Sequence, residues 1–461
     1  MTETAPQQAR LRTFFSTISH SHLILWAVFV LVHLWLGYIN LYNSSQPMGD
    51  VSNVYLGWMQ QGVYANYWVG IDAPWVYPIV AIVPMFASAA FGFALYSSTW
   101  LSMVMVLDAV ALAFLTGWGR GRTTVALGWW WTAFLLFLGP VAVGRIDSIT
   151  IPLAIVGVML LASRPRVAAL LFTLGAWIKI WPVAILAAIV ISSKVRGRVI
   201  VMAVSTSLAI IGLALAFGSG LHVFSFITEQ TGRGLQVEAP VSTIWMWEAL
   251  AKVPGASVYW SQEILTFQVS GPGADLAAKL MNPLLVIAVI GVAALGLLGV
   301  RRQAPVSEML PPLALAFVSA LIAFNKVGSP QYLTWLVVPV LLGLATNAAG
   351  HGRPFRAPAI MVLVLALLTQ AFYPYAYSHV LNTEPLALIV LSSRNILLFV
   401  VFGWAVHSLW RLTRVGVRHE RLDEPTSWLP SVWPLAPVGA STTAHTVAHT
   451  DTHDLHTPPK E

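Results

Sequence analysis

Cysteine does not occur among the 461 residues. Its absence excludes disulfide staples in any exported loop and all thiolate chemistry, nucleophilic or metal-binding. Charge is nearly as scarce: Asp, Glu, Lys and Arg make up 9% of the chain, where soluble domains carry about a quarter. A soluble globular fold is therefore excluded, and so is the rule that counts domains from length. Bases outnumber acids, 25 to 18. Most of them lie in short turns between apolar runs, so no nucleic-acid partner is expected. No internal repeat of the transporter kind is visible. What fills the chain is apolar: 57% hydrophobic residues, a mean hydropathy of +0.75 and 20 tryptophans. That composition belongs to an all-α, polytopic membrane protein with many interfacial anchors.

Runs near the 20 or so residues that cross a bilayer as helix recur along the sequence. Arg10 and Arg12 precede the first, which places residues 1–22 in the cytoplasm by the positive-inside rule. That run is too long and too aromatic for a cleaved signal peptide, and it reads as a retained span. The later clusters are Arg120/Arg122, Arg164/Arg166, Lys194/Arg196/Arg198, Arg301/Arg302, Arg353/Arg356 and Arg411/Arg414/Arg418. All fall on the cytoplasmic side if residues 78–96 do not cross but lie on, or dip into, the outer face. Spans are then expected near 23–41, 99–117, 124–140, 148–163, 199–217, 283–300, 311–324, 330–346, 358–374 and 386–407. A short pair, 167–178 and 181–193, is expected to bend within the membrane as a helical hairpin. Twelve membrane helices result, in a domain spanning 23–410, with both termini cytoplasmic. Long outer loops follow the first helix (42–98) and occupy 218–282, so the work is expected outside. The tail 411–461 is polar and expected to be disordered; its spaced His445, His449 and His453 read as solvated rather than metal-binding.

Asp50, in Gln46-Pro47-Met48-Gly49-Asp50, is a carboxylate in the first outer loop, held near the membrane face. It suits a general base toward an acceptor hydroxyl, or an N-cap for a helix beginning at Val51. Asp72 reads first as a turn residue and second as a substrate contact. Lys179 lies at the apex of the short pair, between Trp177 and Trp181-Pro182. An ammonium at that depth costs enough to imply a cavity, a partner or a function, snorkelling to the interface being the alternative. Arg394, beside Ser392 and Ser393, suits bidentate phosphate recognition, and Asp108 is a candidate to neutralise either cation. Arg145 and Asp147 form the second outer turn, where Asp147 can also cap the fourth span. The turn Asn325-Lys326-Val327-Gly328-Ser329-Pro330-Gln331-Tyr332 places a lysine beside a helix start, a ready anion site. In the 218–282 loop, Glu229, Arg233, Glu238, Trp245, Trp247 and Trp260 are candidates for an acceptor cleft.

These pieces resemble the GT-C membrane glycosyltransferases, and within them the bacterial polyprenol-phosphate-mannose-dependent family 87. The resemblance is carried by Asp50 followed by Tyr55 and Gly62, Tyr77-Pro78, Gly144-Arg145-Ile146-Asp147, Lys179 with Trp181-Pro182, and Lys326 through Ser329-Pro330-Gln331-Tyr332-Leu333. It implies inverting transfer of a sugar, mannose first, from a polyprenyl-phosphate donor to a glycolipid or polysaccharide acceptor at the outer face of the plasma membrane. Asp50 would be the base. Lys179, Lys326 and Arg394 would hold the donor phosphate, with Asp72, Tyr77, Arg145, Asp147, Gln331 and Tyr332 shaping the substrate site. No cofactor is implied. Some GT-C relatives use acidic pairs and a divalent ion, whereas the lone first-loop Asp50 favours cationic side chains. The sequence departs from the family at Tyr77-Pro78-Ile79, where a second proline is usual. Arabinofuranose transfer from the same donor class, and a flippase for polyprenyl-linked sugars, are the competing readings; the latter leaves the two outer loops without a job.

Overall fold

In an apolar solvent a backbone has no hydrogen-bond partner but its own helix. The chain folds accordingly, with 74% helix and 3% strand, as an all-α protein that carries one β-hairpin among the described residues. A computed structural model describes residues 21–119, 124–229, 232–262 and 264–414. Arg10, Arg12, Arg120, Arg122, Arg418 and the three tail histidines lie outside the described residues. In order, the chain forms α1 (His22–Tyr42), α2 (Leu56–Ala65), α3 (Tyr96–Leu115), α4 (Val125–Leu138) and α5 (Asp147–Leu160). Then come α6 (Pro165–Ile178), α7 (Val183–Ser192), α8 (Arg196–Ala216), α9 (Thr243–Leu250), β1 (Ser257–Ser261) and β2 (Thr266–Ser270). The last third holds α10 (Ala274–Arg301), α11 (Val306–Ala323), α12 (Val337–Ala348), α13 (Arg356–Phe372) and α14 (Pro385–Arg414). Among the described residues eight helices are long and apolar enough to cross a membrane: α1, α3, α4, α8, α10, α11, α14, and α12 with its 3-10 lead-in Pro330–Leu336. The helices α5, α6, α7 and α13 are apolar but shorter.

Each expected span coincides with one of these helices, with two differences in extent. α10 begins at Ala274, not near 283. Ala274, Leu276, Ala277, Ala278 and Leu280 are strong helix formers, and Pro283 is carried inside the helix. α14 runs on to Arg414, past the expected boundary at 410. The remaining loop is not featureless: β1 and β2 pair antiparallel, Trp260 opposite Phe267. Residues 78–96 form no long helix. Pro78 precedes a 3-10 turn Ile79–Ala81, a six-residue helix follows at Ile82–Ala87, and Gly92, at φ +85°, turns the chain before Phe93–Leu95.

The pair α6 and α7 has 14 and 10 residues, about 21 and 15 Å of helix, against a hydrocarbon layer of about 30 Å. Pro182 cannot continue a helical ladder, so α6 stops at Lys179, which is extended at φ −150°, ψ 128°. Trp181 anchors the bend: its ring is fully buried and its Nε1 donates to Thr150 Oγ1 of α5 at 2.9 Å.

Asp108 neutralises neither Lys179 nor Arg394. Its Oδ2 lies 3.0 Å from His33 Nε2, while His33 Nδ1 donates to the Phe29 carbonyl at 3.0 Å, tying α3 to α1 inside the bundle.

Candidate functional site

The chain end after α1, the break between α6 and α7, and the turns before α5, before Pro330 and after α13 all contribute to one cavity of about 570 Å³. By simple alternation these are the ends expected on a single side. β1, β2 and the turn joining them close it from that side, through Trp260, Thr266 and Phe267.

Asp50 opens a six-residue turn wound as a π-helix, Asp50–Tyr55, that leads into α2. Gly49, not Asp50, holds the cap position, and no side chain caps there, so the carboxylate is available elsewhere. Its Oδ1 stands 3.0 Å from Arg145 Nη1, and 40% of the Asp50 side chain stays exposed while Arg145 keeps 9%. Arg145 Nη2 also donates to the Tyr373 hydroxyl. The buried Nε and Nη1 of Arg145 have no aligned acceptor, so the contact with Asp50 is one of charge rather than a well-directed hydrogen bond. Burial pushes the guanidinium down, but the Asp50 carboxylate and the Tyr373, Tyr55 and Tyr77 phenols together outweigh it, and the group is held above its ordinary value.

Lys179 faces the same space. Its Nζ lies 4.7 Å from the Tyr77 ring centroid and 5.6 Å from that of Tyr332. Among the described residues no acid lies within ion-pair distance of it. Each ring contributes about 0.5–2 kcal/mol, less than the several kcal/mol of desolvating an ammonium. The cage positions the charge without balancing it. Tyr332 is itself stacked on Trp335 (4.3 Å), and Trp335 stacks on Trp181 (6.0 Å). Trp335 Nε1 donates to Asp147 Oδ1 at 2.6 Å.

A third cation, Arg233, lines the cavity with its Nε buried and unpartnered. Opposing these are Asp50, Glu229 and Glu238. Glu238 is buried and its Oε1 accepts from the Tyr377 hydroxyl at 2.6 Å. Burial pushes its carboxyl up, only partly offset by that hydrogen bond and by Arg394. The phenols of Tyr55 and Tyr77, 3.2 Å apart, are likewise pushed up by burial and remain hydroxyl groups.

Of the residues singled out in the sequence, Asp50, Tyr77, Arg145, Lys179, Gln331 and Tyr332 line this cavity together. Asp147 is fully buried one layer behind, orienting Trp335 rather than capping α5, whose cap is Ile146. Lys326 is buried beside the site. Its carbonyl accepts from Gln236 N, and burial together with the Arg233 charge pushes its ammonium down. Arg394 does not reach the cavity; Nη1 donates to the Glu238 carbonyl and to Asn395 Oδ1, at 3.1 and 2.6 Å. Asp72 is a turn residue, accepting from Trp68 N at 2.7 Å, and borders a separate apolar cleft with Ile79 and Phe217. Glu229, Arg233, Glu238 and Trp260 line the site, whereas Trp245 Nε1 donates to Pro272 O and Trp247 Nε1 to Ser392. Tyr373 and Tyr377 were not foreseen: tyrosines at a span end look like an interfacial belt. Among the described residues no three His, Asp or Glu side chains converge as metal ligands.

Compared with protein-family models, characterised proteins and solved structures, the chain matches none.

Proposed function

We propose that the chain is an inverting glycosyltransferase of GT-C type, moving a sugar, mannose first, from a polyprenyl phosphate to a glycolipid or lipoglycan acceptor. In this reading twelve helices lie in the plasma membrane, both termini are cytoplasmic and the cavity opens outward. The observation that carries it is the combination in one cavity of a part-exposed carboxylate, Asp50, with two cations: the buried Arg145, whose Nε has no partner, and the half-buried Lys179, with no acid within ion-pair distance among the described residues. Such a set accepts an anion and an attacking hydroxyl side by side. The surrounding apolar helices suit a prenyl chain.

The acceptor hydroxyl attacks the anomeric carbon as the bond to the phosphate oxygen breaks on the opposite face, and its proton passes to Asp50. Once Asp50 is protonated it no longer neutralises Arg145. The guanidinium then meets the charge that has moved to the leaving phosphate, together with Lys179. That is stabilisation realised in the transition state rather than the ground state. Tyrosine hydroxyls and aromatic faces of Tyr55, Tyr77 and Trp260 suit sugar rings.

The test uses membranes carrying the wild type or Asp50→Asn, synthetic polyprenyl-phosphate-mannose and a mannolipid acceptor mixture, with products followed by mass. The wild type is expected to add one hexose and the variant to lose transfer by about 10²–10⁴-fold. Undiminished transfer by Asp50→Asn removes the base assignment. Transfer only from the arabinose donor keeps the class and changes the sugar. No transfer from either donor leaves the flippase reading.

A further inference from the structure

The chemistry set out above leaves one buried acid of the cavity without a task. Glu238 is 6% exposed and lines the cavity. Tyr377 donates to its Oε1 at 2.6 Å, and no other side chain among the described residues donates to this carboxyl. A carboxylate offers about four acceptor sites, so most of its capacity is open to whatever enters the cavity. The surrounding structure is spent on holding it still. Arg394 Nη1 donates to the Glu238 carbonyl at 3.1 Å, and the backbone of Glu238 and Ala239 packs so closely on Gly328 that no β-carbon fits between them. Burying a guanidinium costs more than one hydrogen bond to a carbonyl returns. What the arrangement gains is a carboxyl fixed on the cavity wall.

A chain of contacts joins Glu238 to Asp50. Asp50 Oδ1 faces Arg145 Nη1 at 3.0 Å, Arg145 Nη2 donates to the Tyr373 hydroxyl, and the Tyr373 ring meets the Tyr377 ring edge-on at 5.3 Å. Tyr377 then donates to Glu238. Burial pushes the Tyr373 phenol up and Arg145 draws it back, while Asp50 and Glu238 both add to the push. Two acids therefore act on one phenol. Lys179 stands instead against the Tyr77 and Tyr332 rings, with no acid within ion-pair distance among the described residues. A single acid suffices to take one hydroxyl proton. Two acids in fixed relation fit a molecule that presents two hydroxyls in fixed relation. A sugar ring does so; a serine or threonine side chain, or a simple alcohol, does not.

We propose that Glu238 binds the acceptor, its free oxygen taking a second hydroxyl of the same sugar ring whose attacking hydroxyl faces Asp50. The acceptor is then a sugar headgroup rather than a lone alcohol. The inference rests on the transferase reading of the cavity and adds to it a residue that orients the acceptor without touching the reacting atoms.

The test needs no donor. Full-length protein in lipid nanodiscs is titrated with methyl α-mannoside and with each of its monodeoxy analogues, and binding is followed by saturation-transfer NMR. In the wild type, loss of either of two hydroxyls should weaken binding about fivefold to tenfold. Glu238→Met is similar in length and makes no comparable hydrogen bond. In that variant one of the two losses should vanish and the other stay, the non-additivity that marks a direct contact. Glu238→Gln, which still hydrogen-bonds, should show both. Equal losses in wild type and Glu238→Met would overturn the proposal, as would failure of the wild type to bind any of the mannosides. Should Glu238→Met not fold, infrared difference spectra of wild type against Glu238→Gln read the same contact. Mannoside should shift a carboxyl band present only in the wild type, and an unmoved band overturns the proposal. The transfer assay fails separately. A binding contrast at Glu238 without hexose transfer would remove the transferase reading and still place Glu238 on a sugar, whereas transfer with no contrast would remove Glu238 alone.

Discussion

At the scale of single residues the cavity rests on charges left short of partners. Lys179 sits under two tyrosine rings with no acid in contact, so Lys179→Gln removes a cation at little cost to packing. Under the proposed chemistry it should lower kcat by about 10²–10³-fold with a much smaller change in acceptor KM, measured with the membrane assay. A loss confined to KM would assign the lysine to binding alone. Glu238 offers a reading in pH. Its folded-state carboxyl is raised by burial, so the folded protein holds that proton more tightly than the unfolded chain does. The stabilisation is fully present below the unfolded value, about 4.3, and is lost as pH rises through the raised one. Glu238→Gln cannot ionise. Its thermal midpoint in detergent, relative to wild type, should therefore increase as pH goes from 4 to 8; a constant difference would show that Glu238 does not titrate in this range. Which of these residues the sequence could reveal follows from their surroundings. Asp50, Arg145 and Lys179 stand out because polar groups among apolar spans are costly. Arg394 stands out for the same reason, yet serves the backbone of Glu238. Cost marks a residue that must be satisfied, not what satisfies it, and a partner 156 positions away along the chain leaves no local trace.

At the scale of elements, the wall of the cavity is built where backbones meet. Gln236 N donates to the Lys326 carbonyl at 3.0 Å and Val237 N to the Phe267 carbonyl at 3.2 Å, binding the outer loop to both the turn before Pro330 and the hairpin. Gly328 lies where this happens: a β-carbon there would collide with the backbone of Glu238 and Ala239. Backbone cannot rotate aside as a side-chain end can. Gly328→Ala should destabilise by about 1–3 kcal/mol and disturb Glu238 even if the protein folds, seen as a lower thermal midpoint together with lost transfer. A variant with both unchanged would show that the two segments are free to separate. The helices were legible because a bilayer admits few alternatives to a helix of the right length. The hairpin was not, because Ser257–Ser261 and Thr266–Ser270 are short, and their partner strand is set by a loop rather than by a buried alternating face. The start of α10 was misplaced for a related reason: Pro283 looks like a beginning, whereas the formers before it extend the helix through it.

At the scale of the whole molecule, the disposition of charge and cavity is the strongest constraint. Every chain segment that reaches the cavity belongs to ends that alternation assigns to one side, and the arginines at 164, 166, 198, 301, 302, 353, 356 and 414 belong to the other. On the twelve-helix reading, the charge rule and the position of the cavity agree. Which side faces out is a separate matter, and the lack of cysteine makes it directly measurable, since any introduced thiol is the only one present. Ser44→Cys and Ala251→Cys place it on exposed positions at the cavity end, and Ala348→Cys on an exposed position at the arginine end. With a membrane-impermeant maleimide on intact cells, the first two should label and the third should label only after permeabilisation. The reverse pattern would put the cavity in the cytoplasm, where a donor headgroup displayed on the outer leaflet cannot reach Asp50, and the proposed reaction would fail on access before any question of chemistry arose. Labelling of all three in intact cells would mean that the shorter helices do not cross, and that the alternation placing Lys179 beside Asp50's side of the membrane has another cause.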